Sequence, residues 1–107
     1  RYTSSLSRLN FLESPTIDQK NTSVFAQYTI LSKNREIIQR KLKEKDIPSV
    51  SYYSVPLHLQ AVFENLGYCK GNFPVAEKVA NQCLSLPMSP YLHAEDLEKI
   101  TKTISTI

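Results

Sequence analysis

The run "SVFAQYTILS", Ser23 to Ser32, constrains this chain more than any other stretch. It is rich in β-branched and aromatic residues, and side chains alternate along a strand. Val24, Ala26, Tyr28 and Ile30 therefore fall on one face, and Phe25, Gln27, Thr29 and Leu31 on the other. Both faces are largely apolar, which predicts an interior strand covered on both sides. At 107 residues the chain is one domain's worth. A domain of that size buries roughly two thirds of the surface its unfolded chain exposes, so one core must do the covering.

Patterning around that run supplies the covering elements. From Arg1 to Leu12, Leu6, Leu9 and Leu12 recur every three positions, as at the end of a helix, and "ESPTIDQKNTS" is polar turn material. Ser32 is placed to cap "KNREIIQRKLKEK", whose Ile37, Ile38 and Leu42 form a narrow apolar stripe. "DIPSVSYYSV" returns to β-type residues, with Pro48 at the strand's start or edge because it lacks a backbone donor. "YYSVPLHLQAVFENLGY" then runs through Pro56 into a short helix ended by Gly67. Pro74 opens a further helix in a position it tolerates, and Val75, Ala76, Val79, Ala80, Cys83 and Leu84 mark one face of it. "SLPMSPY" is extended, broken by Pro87 and Pro90. Leu97, Ile100, Ile104 and Ile107 step along a last helix, with His93 at its N-cap and Glu95 and Asp96 in the first turn, where the helix dipole favours negative charge. The expected fold class is α+β, with about three strands in a small sheet and helices packed on one face.

Charge and composition narrow the function. The net charge is +3, from 13 basic and 10 acidic residues. The only basic cluster, Arg40, Lys41, Lys43 and Lys45, falls on the polar face of a helix. This is no strong electrostatic footprint for nucleic acid or for a membrane surface. The alternative of a stand-alone interaction or nucleic-acid-binding domain would use that helix with Tyr52 and Tyr53 as a stacking pair, and would bind with steep salt dependence. No apolar run approaches the roughly 20 residues of a membrane span. The N-terminus has neither an initiating methionine nor the charged-then-apolar order of a signal peptide, so a piece of a longer cytoplasmic protein is expected. Cys69 and Cys83 lack the close Cys or His companions that zinc needs, and read as reduced packing residues; no metal site is expected.

His58 is the titratable group of most interest. It can act in acid–base chemistry or hold a phosphate or hydroxyl, or it can donate an N–H to a backbone carbonyl and pin its loop. Tyr52 and Tyr53 point to opposite faces of a continuing strand, so one can be core while the other presents its hydroxyl to a cleft. Gln60 can share that cleft or cap the next helix, and Tyr68 packs. No side chain is placed as a nucleophile with its base, and two glycines cannot build a phosphate-cradling loop. The residues by themselves describe a globular accessory domain without catalytic machinery of its own.

Taken in order, "SVFAQYTIL", "NRE", "IPSVSYYSVPLHLQ", "LGY", "FPVAE" and "LSLPMSP" resemble the C-terminal part of the DegT/DnrJ/StrS family of sugar aminotransferases, over about Val24 to Ile107. The resemblance implies the small C-terminal domain of a fold type I enzyme dependent on pyridoxal phosphate. Residues 24–107 would form that domain, and 1–23 the end of an interdomain helix and a linker. Such enzymes move an amino group, usually from glutamate, onto a nucleotide-linked keto sugar. They commonly work as homodimers and feed the synthesis of lipopolysaccharide and other surface polysaccharides. Pyridoxal phosphate chemistry needs a Schiff-base lysine, an acidic partner for the ring nitrogen and a phosphate cradle. In this family those lie upstream of the part matched, so the chain is expected to carry no catalytic residue and to be inactive alone.

One family loop does carry over. It usually reads His-Tyr-Pro, a residue, then Pro-Leu-His, and the matching positions are Tyr52, Tyr53, Ser54, Val55, Pro56, Leu57 and His58. The resemblance implies substrate contact or support of the site by Tyr53 and His58, and by Tyr52 and Gln60. Tyr52 replaces the usual histidine, Ser54 the usual proline, and Ser89 stands where histidine is frequent. Some relatives serve as dehydratases or regulators. The residue at the upstream Schiff-base position separates these, lysine for transamination and histidine for dehydration.

Overall fold

In the computed structural model, which describes residues 1–107, the apolar run is a strand only over its second half, β1, Tyr28–Leu31. Phe25 has a φ of 47°, in the left-handed region, so extended backbone cannot run through it, and Val24 stands in solvent. Tyr28 and Ile30 are buried, while Thr29 and Leu31 on the other face are half-buried. The strand expected to be covered on both sides is thus shorter and enclosed on one.

Its partner is β2, Cys83–Leu86, paired antiparallel so that Ile30 lies opposite Leu84 and Thr29 opposite Ser85. The Thr29 and Ser85 hydroxyls meet at 2.8 Å. Helix α3, Pro74–Gln82, stops where Cys83 turns extended, at φ −71° and ψ 137°. Cys83 and Leu84 therefore belong to the sheet rather than to the helical face expected of them, since β1 offers backbone partners that a longer helix would forgo. The third strand shrinks to one residue: Val50 and Ser85 exchange backbone bonds of 3.2 and 2.7 Å. Pro48 brings no N–H to that edge, and the chain bends away after Ser51. On the opposite edge Glu13 pairs with Leu31 in the same single-residue way. The α+β class holds, with two strands and a bridge on each side.

Helices α1 (Tyr2–Leu6), α2 (Arg35–Glu44) and α4 (Ala94–Ser105) cover the sheet's buried face. Their core joins Ile38 and Leu42 of α2 and Ile100 and Ile104 of α4 to Tyr28, Ile30 and Leu84. The first segment contributes Tyr2, Leu6 and Leu12 to that same core. Ser32 does not cap α2 directly. Its hydroxyl accepts the Asn34 N–H at 3.0 Å and donates to the Phe11 carbonyl at 2.6 Å, so it shapes the turn before the helix and ties it to the N-terminal segment. Arg35 Nη1 donates at 2.6 Å to the carbonyl of Ala80, near the end of α3, where helix carbonyls lack internal partners. Arg40, Lys41, Lys43 and Lys45 are exposed, as their spacing predicts, and His93 stands at the N-cap of α4 without a side-chain capping bond.

Residues 52–82 pack differently. Only His58 and Ala80 are buried there, while Leu57, Val62, Leu66 and Val75 stand mostly in solvent. The α3 face read as core is thus largely exposed. Cys83 is buried, but Cys69 lies on the surface of this limb rather than in packing; both are free thiols.

Candidate functional site

The limb is shaped by residues that leave the backbone few choices. Pro56 fixes φ at −65°, and its carbonyl accepts the Leu59 N–H at 3.0 Å, closing a 3₁₀ turn over Leu57–Leu59. A second such turn, Ala61–Leu66, ends at Gly67, whose φ of 81° favours glycine. The chain then turns at Cys69–Asn72, where the Asn72 carboxamide oxygen accepts the Cys69 N–H at 2.7 Å, and Pro74 starts α3.

Between this loop and α3 lies an open groove of about 660 Å³, mostly apolar, that Tyr53, His58 and Gln60 line together with Phe63, Phe73 and Val79. His58 is its buried polar residue. Its Nε2 lies 3.4 Å from Glu77 Oε2, with the two side chains 7% and 13% exposed. The alignment falls short of a hydrogen bond, so Nε2 is enclosed without a true acceptor. The ring also packs edge-on against Phe73, 4.9 Å between centroids, and Tyr68 packs on Phe73 from beyond, at 5.1 Å.

Glu77 is held in turn by the turn before it. Both carboxylate oxygens accept the Gly71 N–H at 2.9 Å, and Oε2 also accepts the Phe73 N–H at 3.3 Å. The Gly71 N–H foremost, then the Phe73 N–H and His58, hold the Glu77 pKa below its ordinary value against the opposing effect of burial. One carboxylate thereby ties the Gly71–Phe73 turn and the His58 loop to α3.

The residues that the sequence singled out are only partly united. Tyr53, His58 and Gln60 share the groove. Gln60 does so with its amide occupied, donating to the Val55 carbonyl at 3.2 Å, and it caps no helix with its side chain. Tyr52 lines a different, smaller groove beside Val50 and Leu86, although the two tyrosine rings meet edge to face at 5.6 Å. His58 makes no backbone pin; it faces a carboxylate. Glu77 joins the site although the sequence pattern gives it no role there. Its signal is a carboxylate in the first turn of a helix that follows a glycine turn.

The groove does not itself fit pyridoxal phosphate. No lysine or arginine lines it, and the charge nearest His58 is the Glu77 carboxylate, which repels a phosphate. What it offers is an apolar wall carrying a phenol and an imidazole, on which a ring can pack while its hydroxyls meet those two groups.

Residues 1–105 match the DegT/DnrJ/EryC1/StrS aminotransferase family. The pleiotropic regulatory protein of Geobacillus stearothermophilus is 48% identical over 82 residues, covering 77% of this chain and 22% of that protein. The UDP-2-acetamido-2-deoxy-3-oxo-D-glucuronate aminotransferase of Pseudomonas aeruginosa is 37% identical over 91 residues, covering 85% of this chain and 24% of that enzyme. A DegT DnrJ EryC1 StrS aminotransferase from Brucella abortus superposes with a TM-score of 0.88 at 39% identity, covering 99% of this chain and 28% of that one. The chain spans about a quarter of the length of these relatives. No helix is long and apolar enough to cross a membrane.

Proposed function

The chain belongs to the DegT/DnrJ/EryC1/StrS aminotransferase family, and from that premise we propose that it is the C-terminal part of a nucleotide-sugar aminotransferase. Residues 24–107 form the small domain in this reading, and 1–23 the end of an interdomain helix and a linker that packs Tyr2, Leu6 and Leu12 into its core. The full-length protein uses pyridoxal phosphate, held by residues outside this chain, to supply the amino-transfer chemistry. It moves the amino group of glutamate onto a nucleotide-linked keto sugar for surface-polysaccharide synthesis, working as a cytoplasmic homodimer. Tyr53 and His58 contact or orient the sugar, with Gln60 holding their loop and Tyr52 at its flank.

The observation that carries this reading is the exposed apolar limb. A small domain that leaves Leu57, Val62, Leu66 and Val75 uncovered is suited to close against further protein. Its groove presents polar groups that fit a sugar's hydroxyls, while lacking a phosphate cradle of its own.

The test is turnover by the full-length protein with pyridoxal phosphate, glutamate and a panel of UDP- and dTDP-linked keto sugars. Formation of an amino sugar and 2-oxoglutarate is expected; cofactor bound but no amino sugar from any of the panel refutes the reading. A second reading, a regulator of the same fold, is favoured by the 48% identity to the pleiotropic regulatory protein. The residue at the upstream Schiff-base position discriminates, since transamination requires lysine there.

A further inference from the structure

Glu77 has a place in this site that the loop motif does not give it. We propose that Glu77 is a positioning residue that holds His58 as its Nε2–H tautomer, leaving Nδ1 as the ring nitrogen free to accept a hydrogen bond. A neutral imidazole carries one N–H and one bare nitrogen, and its surroundings decide which is which. At His58 the enclosed nitrogen is Nε2, and the atom facing it, at 3.4 Å, is an oxygen of Glu77. An ionised carboxylate only accepts. A bare lone pair on Nε2 would meet that anion in a site with little water to screen it, whereas an N–H there is attracted to it. Glu77 cannot swing aside cheaply, because the Gly71 and Phe73 N–H groups hold its oxygens from the other side. Gln60, whose amide also lines the groove, is occupied with the Val55 carbonyl and does not compete for the ring. That Nδ1 then meets a sugar rests on the proposed function; the tautomer rests on the geometry alone.

The experiment is nitrogen-15 NMR of the full-length protein labelled at histidine, at a pH where imidazoles are neutral, with His58→Gln identifying the signals. His58 is expected as a single Nε2–H species. Glu77→Leu and Glu77→Ala, which leave no acceptor opposite Nε2, are expected to turn it into a mixture of tautomers. A mixture or an Nδ1–H ring in the unmodified protein overturns the proposal, as does an unchanged ring in both variants. Should Glu77→Ala fail to fold, Glu77→Leu, which fills the same space without an acceptor, carries the comparison. No turnover is needed. A protein that aminates no sugar can still show the single tautomer, and an active aminotransferase can still lack it, so the two failures are distinct.

Discussion

Removing the hydroxyl of Tyr2 should weaken the domain at neutral pH and cancel part of its sensitivity to alkali. Tyr2 is 3% exposed, donates to the Pro87 carbonyl at 2.7 Å, and stacks on Tyr28 with 4.9 Å between ring centroids. Burial foremost, with Tyr28 beside it, raises the Tyr2 pKa from 10.0 to about 12. A group whose folded pKa is raised contributes stability that is complete below its unfolded pKa and is lost as pH rises through the folded one. Two pKa units set a ceiling of about 2.7 kcal/mol, of which roughly 1.4 kcal/mol is gone at about pH 11. At neutral pH, Tyr2→Phe loses one hydrogen bond, about 1 kcal/mol, and up to about 3 kcal/mol if the Pro87 carbonyl stays dry. The assay is urea unfolding of the full-length protein and the variant at neutral pH and near pH 11. Comparing the two proteins at each pH isolates the Tyr2 hydroxyl from what they share. The unmodified protein should lead at neutral pH, and its lead should shrink by about 1.4 kcal/mol in alkali. An equal lead at both would refute the claim that this phenol is buried in the core.

Other expectations follow from the same geometry. Leu84→Ala, at a fully buried position opposite Ile30, should cost about 2–5 kcal/mol in denaturant unfolding, whereas Arg40→Gln with Lys43→Gln on the exposed face should stay within about 0.5 kcal/mol. Because the Glu77 pKa is lowered, its stabilisation of the turn is present above the ordinary carboxylate value and is lost only as pH falls through its lower folded value. The Gly71 and Phe73 amide NMR shifts should therefore move in acid with a midpoint below 4.5, and a midpoint at or above it would contradict the bonds described. On the proposed function, Tyr53→Phe and His58→Gln in the full-length protein should each lower kcat/KM for the sugar by roughly tenfold, the value of one lost hydrogen bond, while the visible absorbance of bound cofactor is unchanged. Unaltered kcat/KM would leave both residues as loop packing only.

The loop motif and the helices of this chain are written locally, and there the sequence was a good guide. Ile38 and Leu42 of α2, the stepped isoleucines of α4 and the helix start at Pro74 stand where their spacing puts them, although Ile37, read into the same stripe, is exposed. The sequence also carried the family, since the order and spacing of "YYSVPLHLQ" and "FPVAE" survive whatever the chain packs against. What it left open depends on partners distant in the chain. Phe25 and Tyr28 share one apolar run, yet the left-handed turn at Phe25 confines the strand to the residues that can pair with β2. Val75 and Val79 have the spacing of a core face, yet lie exposed because the sheet ends α3 early and the core is filled from α1, α2 and α4. Tyr52 and Tyr53 are neighbours in sequence and line separate grooves. Glu77 becomes part of the site only because the Gly71–Phe73 turn and the His58 loop converge on one carboxylate from nineteen and from four to six residues away. Periodicity and motif order are short-range and survive reading one residue after another. Which apolar face is covered, and which carboxylate an imidazole meets, is decided by competition among all the surfaces the fold brings together.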